Sequence, residues 1–320
     1  MNLLPLSFIK KRWFAALAKL EYGQLHFTTP EGARFHFQGH QDGPSATFVV
    51  HDWRVLTRMV ARGDIGLGED YIDGKWESAD IEKLIALFLM NLQHLEAFAH
   101  GNWINRRVFA LYNYVVRRNS RRGSRSNIQS HYDVGNDFYR LWLDETMTYS
   151  SALFHDTDDL ATAQRNKYQR ILSKADVPQA SILEIGCGWG GFAEEAARAG
   201  HQLTGLTISP AQHQFARQRL GNTADIRLQD YRDTRGLFDM IVSIEMFEAV
   251  GMKYWPDYFG TIRKTLRRGG SAIVQTITVR DENFIDYTRC SDFIRHYVFP
   301  GGMLPSIARF KEVAAREGLA

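Results

Sequence analysis

The two parts of the chain carry different periodicities. Up to about residue 100, short strand-like runs at 24–28, 34–38 and 46–50 are separated by glycine, proline and helical pieces, the pattern of a small α+β unit. Asp80-Ile81-Glu82-Lys83 opens an apolar helix reaching about Phe98, and a second helix is expected from Asn105 into the Arg/Ser/Gly stretch at 119–126. From about Tyr132, apolar runs of strand length at 181–185, 201–206, 225–228, 240–244 and 271–277 alternate with helical stretches at 190–199, 210–220 and 254–266. Strands regularly separated by helices predict a parallel, doubly wound sheet. The expected organisation is an N-terminal α+β and helical domain over 1–118, a basic linker over 119–127 and an α/β domain over 128–320.

Composition and charge refine this picture. The apolar fraction, 44% of 320 residues, suffices for two cores. The longest apolar run, residues 84–90, falls far short of the ~20 residues that cross a bilayer. The Lys10-Lys11-Arg12 cluster precedes only a stub of apolar sequence, and Cys187 and Cys290 make no disulfide framework, so a cytoplasmic location is expected. The net charge of +3 is unevenly placed: Arg106, Arg107, Arg117, Arg118, Arg121, Arg122 and Arg125 lie among aromatic residues with no acid between them. Such a stretch suits an anionic membrane surface, which would make the protein peripheral at the inner membrane, or else a solvated linker. No nucleic-acid recognition motif accompanies the charge.

The clearest chemical signal is Ile182-Leu183-Glu184-Ile185-Gly186-Cys187-Gly188-Trp189-Gly190-Gly191, a buried strand ending in a glycine-rich turn that opens a helix. Glycines there let the backbone approach a ligand, and the helix start supplies free N–H groups. The glycines at 186, 188 and 191 also satisfy the dehydrogenase spacing, so the next strand has to discriminate. It ends Gly205-Leu206-Thr207-Ile208-Ser209, without the carboxylate that would hold a nicotinamide cofactor's ribose. Thr207 and Gln212 offer a hydroxyl and an amide instead. The third strand leads to Asp230 and Tyr231, a carboxylate and an aromatic face suited to an adenine.

Long motifs then carry a family resemblance. Residues 131–139 and 143–152, Glu184 to Gly190, Gly205 to Ser209, Phe247-Glu248-Ala249-Val250-Gly251 and Phe299-Pro300-Gly301-Gly302 resemble the cyclopropane fatty acid synthase and mycolic acid methyltransferase family from about Asn127 onward. Gly63 to Tyr71 and Asp73 to Trp76 resemble the N-terminal domain of the longer bacterial synthases. The resemblance implies an α/β, doubly wound, Rossmann-like class I methyltransferase sheet that uses S-adenosylmethionine and no metal. The cofactor would be held by Tyr149, Ser150, Glu184, Gly186, Gly188, Gly190, Thr207, Gln212, Asp230 and Tyr231. The substrates implied are the unsaturated acyl chains of membrane phospholipids, and a homodimer is an allowed assembly.

The same resemblance implies a mechanism. A cis double bond attacks the sulfonium methyl, and a base then removes a proton from the new methyl as a ring closes. The family's base is a buried bicarbonate, and the corresponding positions here are Glu248, Ser151, Gln275 and Ile277. Ser151 stands where cysteine is usual, which matters little if that position acts through its backbone N–H. Gln275 stands where histidine is usual, and an amide cannot take up a proton as imidazole can. The alternatives are therefore a methyl-branched or methylene-bearing product, or a non-catalytic lipid-binding relative. An oxidoreductase is disfavoured by the missing acid. Because the chain ends at Gly318-Leu319-Ala320, where a class I methyltransferase would begin its sixth strand, a fragment with an exposed sheet edge is expected.

Overall fold

The computed structural model describes residues 5–99, 135–289 and 292–319. Contacts divide the chain into two units, Met1–Tyr114 with Asp286–Tyr297, and Val115–Ile285 with Val298–Ala320. The second unit is thus discontinuous, where the sequence implied an unbroken 128–320. The arginine-rich stretch, the linker at 119–127 and the helix expected from Asn105 lie outside the described residues.

In the first unit, helices α1 (Leu6–Leu17), α2 (Arg54–Arg62), α3 (Asp64–Ile72), α4 (Ile81–Met90) and α5 (Leu92–Ala99) accompany strands β1 (Tyr22–Thr28), β2 (Arg34–Gln38), β3 (Gln41–Val50) and β4 (Trp76–Glu77). The sheet order is β2-β1-β3-β4, with β1 and β3 parallel. Its core is aromatic: the fully buried Trp13 meets Phe27, Phe48, Phe88 and Phe98 edge-on, a geometry favoured by the ring quadrupoles. The single helix expected to reach Phe98 is broken at Asn91. The buried Asn91 side chain accepts from the backbone N–H groups of Glu21 and Tyr22 and donates to the carbonyls of Tyr22 and Leu87. That set of bonds ties the sheet to the interruption between α4 and α5.

The excursion Asp286–Tyr297 belongs to this unit because of α3. The Phe293 N–H donates to the Asp64 carboxylate at 3.0 Å, and the Tyr297 hydroxyl donates to Glu69 at 2.6 Å. The Phe293 ring fills the space beside Gly68, where a Cβ would lie 2.4 Å from it.

The second unit begins, among the described residues, with α6 (Asn136–Arg140) and α7 (Leu160–Leu172). A βα alternation follows: β5 (Ser181–Ile185), α8 (Gly191–Arg198), β6 (Gln202–Thr207), α9 (Pro210–Leu220), β7 (Asp225–Leu228), β8 (Phe238–Ile244), α10 (Trp255–Thr265) and β9 (Leu266–Gln275). After these come α11 (Asp281–Arg289), which runs into the excursion, and α12 (Ile307–Arg316). The five strands are parallel in the order β7-β6-β5-β8-β9. Alternate residues of β5 serve opposite cores. Ile182 packs with Tyr168, Phe192, Ala196 and Leu220 on one side, and Leu183 and Ile185 pack with Trp255, Tyr258, Phe259 and Ile262 on the other. That two-sided burial makes the sheet doubly wound, as its sequence periodicity predicts. The fifth strand starts earlier than expected and ends at Gln275, so Thr276 and Ile277 lie beyond it. No further strand pairs with β9 among the described residues, and none of its residues is fully buried. The order reverses between β5 and β8, and in such sheets ligands bind outside the carboxyl ends of the strands at that point.

Candidate active site

At the carboxyl end of β5 the chain turns through three glycines with left-handed backbones, Gly186 (φ 85°), Gly188 (φ 51°) and Gly190 (φ 87°). The N–H groups of Gly186 and Cys187 both donate to the Leu206 carbonyl, fixing the turn to β6. A Cβ on Gly186 would lie 2.7 Å from the Met246 side chain, and one on Gly190 would lie 3.0 Å from Leu220. On Gly188 it would meet nothing within 4 Å. Packing thus demands two of the glycines, whereas the third lies against open space. Behind the turn, Glu184 is buried with its Oε2 lacking a hydrogen-bond partner, and burial pushes its carboxyl up to about 8. Burial likewise raises the Cys187 thiol, so that side chain is not poised as a nucleophile.

The other expected cofactor residues divide into groups. Thr207 donates its hydroxyl to the Gln212 side-chain oxygen at 2.9 Å, both residues being buried, and Ser209 caps α9 beside them. Asp230 is engaged locally: its carboxylate takes the backbone N–H, Nε and Nη2 of Arg232. Tyr231 packs edge-on against Tyr258, with Arg232 over its ring, and burial raises its hydroxyl. Tyr149 packs at a tilt against Tyr139 and edge-on against Trp142. Ser150 Oγ receives a hydrogen bond from Lys167 Nζ at 2.6 Å, and the Ser150 carbonyl accepts from Gln164.

At the carboxyl end of β8, next to β5, Glu245 adopts a left-handed backbone (φ 48°), unusual for a residue with a side chain. Its Oε1 accepts from Ser151 N–H at 2.9 Å, Ser151 Oγ at 2.7 Å and Gln275 Nε2 at 2.9 Å. Gln275 Nε2 also donates to Ser151 Oγ at 2.9 Å. Three residues on, Glu248 Oε1 accepts from the Thr276 hydroxyl at 2.9 Å and the Ile277 N–H at 2.6 Å, while its Oε2 is buried without a partner. Burial raises the Glu248 carboxyl, and the neighbouring charge of Glu245 adds to the rise.

The group expected around Glu248 is therefore split between two carboxylates. Ser151 and Gln275 bond to Glu245, and Ile277 bonds to Glu248, because the turn after β8 presents an acid at each of two successive bends. Sequence reasoning missed Glu245 and Lys167. Glu245 had a positional signal, since it directly follows the fourth strand and precedes the Phe247-Glu248 motif. Lys167 shares the buried face of α7 with Ala163, Gln164, Tyr168 and Ile171, so helical periodicity could have flagged it. It donates to Ser150 Oγ and, at 3.0 Å, to the Ser151 carbonyl. Burial pulls its ammonium down to about 8, opposed by Glu245, Asp144 and Glu184. Among the described residues no cluster of metal-ligating side chains occurs and no helix is long and apolar enough to cross a membrane.

Comparison with known proteins places this geometry. The family profile for mycolic acid cyclopropane synthetase matches residues 119–320. The tuberculostearic acid methyltransferase of Mycobacterium tuberculosis is 37% identical over 283 residues, 84% of this chain and 66% of that protein. The cyclopropane-fatty-acyl-phospholipid synthase of Escherichia coli is 34% identical over 261 residues, 80% of this chain and 66% of that protein. The chain thus spans just under two thirds of the length of these two relatives. Among solved structures, the cyclopropane synthase MmaA2 of Mycobacterium tuberculosis is 32% identical and superposes with a TM-score of 0.56, covering 61% of this chain and 74% of that one. A mycolic acid cyclopropane synthase complexed with SAH and CTAB matches with the same identity, TM-score and coverage.

Proposed function

This chain belongs to the mycolic acid cyclopropane synthetase family, and we propose that it is a C-methyltransferase acting on the cis double bond of unsaturated phospholipid acyl chains. The observation that carries the reading is the pair of carboxylates, Glu245 and Glu248, at the end of β8, beside the glycine turn of β5 at the sheet's reversal point. Open space beside Gly188 and an unpartnered buried oxygen on Glu184 fit S-adenosylmethionine, whose methionine ammonium would find an acceptor there. When bound, the cofactor supplies an electrophilic methyl group on a sulfonium. The chain's own residues then orient the acyl chain, hold negative charge near the developing carbocation and accept one proton.

Exposed Phe138, Leu141 and Trp142 support contact between the second unit and lipid, Leu141 being 81% exposed. The protein would then act as a peripheral enzyme at an anionic membrane surface.

The product follows from where the proton leaves. Loss from the new methyl with ring closure gives a cyclopropane. A methylene-bearing or branched chain is the second reading, favoured by Gln275 at the catalytic end of β9 and by likeness to a tuberculostearic acid methyltransferase. Mass spectrometry of monounsaturated phospholipid vesicles incubated with the chain and methyl-labelled cofactor tests both. A labelled gain of one CH2 is expected, and a double bond retained in the product selects the second reading. Absence of label in every lipid, with S-adenosylhomocysteine still bound, would leave a non-catalytic relative.

A further inference from the structure

The donors that the family resemblance assigns to an external anion are already directed at a carboxylate of the chain itself. Ser151 N–H and the Gln275 side chain both donate to Glu245 Oε1, and the Ser151 hydroxyl makes a third bond to the same atom. The remaining assigned donor, Ile277 N–H, is taken by Glu248. A bicarbonate ion on these donors would face two carboxylates at close range, a like-charge arrangement that disfavours binding. Glu245 is held for this task at some conformational cost: its backbone is left-handed, and its N–H is secured by the Gln275 carbonyl at 2.9 Å. Lys167 braces the other side by bonding the Ser151 carbonyl.

We propose that Glu245 is a built-in replacement for the family's bicarbonate and is the base of the reaction, with Ser151 and Gln275 as its positioning residues. The proposal rests on the methyl-transfer reading given above. In the step it describes, the alkene π pair forms the new carbon–carbon bond as the sulfur–methyl bond breaks with its pair kept by sulfur. The second alkene carbon is left positive. Glu245 takes one proton from the cation, the released C–H pair closes the ring or makes a new double bond, and the carboxylic acid later returns its proton to water. Gln275 suits this arrangement because its amide donates to a fixed carboxylate and has no proton to gain or lose.

Two measurements on the whole chain test it. Broadening of the carbon-13 resonance of labelled bicarbonate reports ion binding directly, with S-adenosylhomocysteine binding as the check that each variant is folded. Wild type should show no saturable broadening, and Glu245→Gly, which empties the site and suits the left-handed backbone, should show it. Methyl transfer to monounsaturated phospholipid vesicles in carbonate-free buffer should proceed in wild type and fall about 100-fold or more in Glu245→Gln and Glu245→Gly. Added bicarbonate should restore the glycine variant and not the glutamine variant. Saturable bicarbonate binding by wild type, or a Glu245→Gln enzyme as fast as wild type, would overturn the proposal. If wild type methylates no lipid, the proposed function fails separately, while the bicarbonate titration still decides whether Glu245 fills the anion site.

Discussion

Ser151 and Glu245 meet through two hydrogen bonds to one carboxylate oxygen, 2.9 Å from the backbone N–H and 2.7 Å from the hydroxyl. The backbone bond survives any non-proline substitution. Ser151→Ala should therefore slow methyl transfer by about tenfold, the lower end of what one bond to a charged acceptor is worth, and should leave S-adenosylhomocysteine affinity unchanged. Initial rates check this. A loss as large as that of Glu245→Gln would make the hydroxyl the principal holder.

Gly188 combines a left-handed backbone with open space where a side chain would project. Gly188→Val should weaken S-adenosylhomocysteine binding severely, because the isopropyl group enters the approach to the turn, and should lower stability by ~1–2 kcal/mol through backbone strain. Calorimetric titration and thermal unfolding separate the two effects. Binding at wild-type affinity would mean that the cofactor does not run along this turn.

Much of the sheet was legible because buried parallel strands read as apolar runs between helices: the boundaries at 181–185 and 225–228 match those observed. The break at Asn91 was not, since a polar residue in an apolar helix reads as a tolerated exception until its tertiary partners are known. The excursion of 286–297 into the first unit was invisible for the same reason, as it depends on Gly68 leaving room for a distant Phe293. In the site, the glycine turn could be read from spacing alone. Which of two nearby acids meets Ser151 and Gln275 could not, because only two residues of turn, Met246 and Phe247, separate Glu245 from Glu248.

Asn91 offers a stability test of the first unit. Asn91→Ala orphans the half-buried N–H groups of Glu21 and Tyr22 and leaves a cavity at a buried site, and should cost ~2–4 kcal/mol. Denaturant unfolding should show the transition of this unit moving to lower midpoint. A change below about 0.5 kcal/mol would mean that water replaces the side chain readily.

Glu248→Gln should separate catalysis from folding. The amide oxygen can still accept from Thr276 and Ile277, and removing a buried carboxylate whose ionisation is disfavoured should leave the unfolding temperature equal or higher. Methyl transfer should fall sharply with cofactor affinity nearly intact, the signature of an interaction made chiefly in the transition state. Normal turnover would exclude Glu248 from the chemistry and leave Glu245 as the sole acid of the pair with a role.

Glu184 predicts a pH dependence that ligand binding should reverse. Burial raises its carboxyl from 4.5 to about 8, partly offset by Lys167. A raised acid retains its proton in the fold after the unfolded chain has lost it. Its contribution is thus fully present below about 4.5 and declines as pH rises towards 8. At pH 7 the resulting cost is on the order of 3 kcal/mol. Lys167, lowered from 10.5 to about 8, acts in the adjoining window: the cost of its buried charge is relieved as pH rises from 8 towards 10.5. In the absence of cofactor, the unfolding temperature of wild type should therefore fall relative to Glu184→Gln between pH 4.5 and 8. A bound methionine ammonium would favour the ionised form, so cofactor binding near pH 7 should release a proton. Binding enthalpies measured in two buffers of different ionisation enthalpy should then differ for wild type and agree for Glu184→Gln. Identical enthalpies in wild type would show that the unpartnered oxygen of Glu184 does not meet the cofactor's ammonium, and would move that contact to another acceptor at the β5 turn.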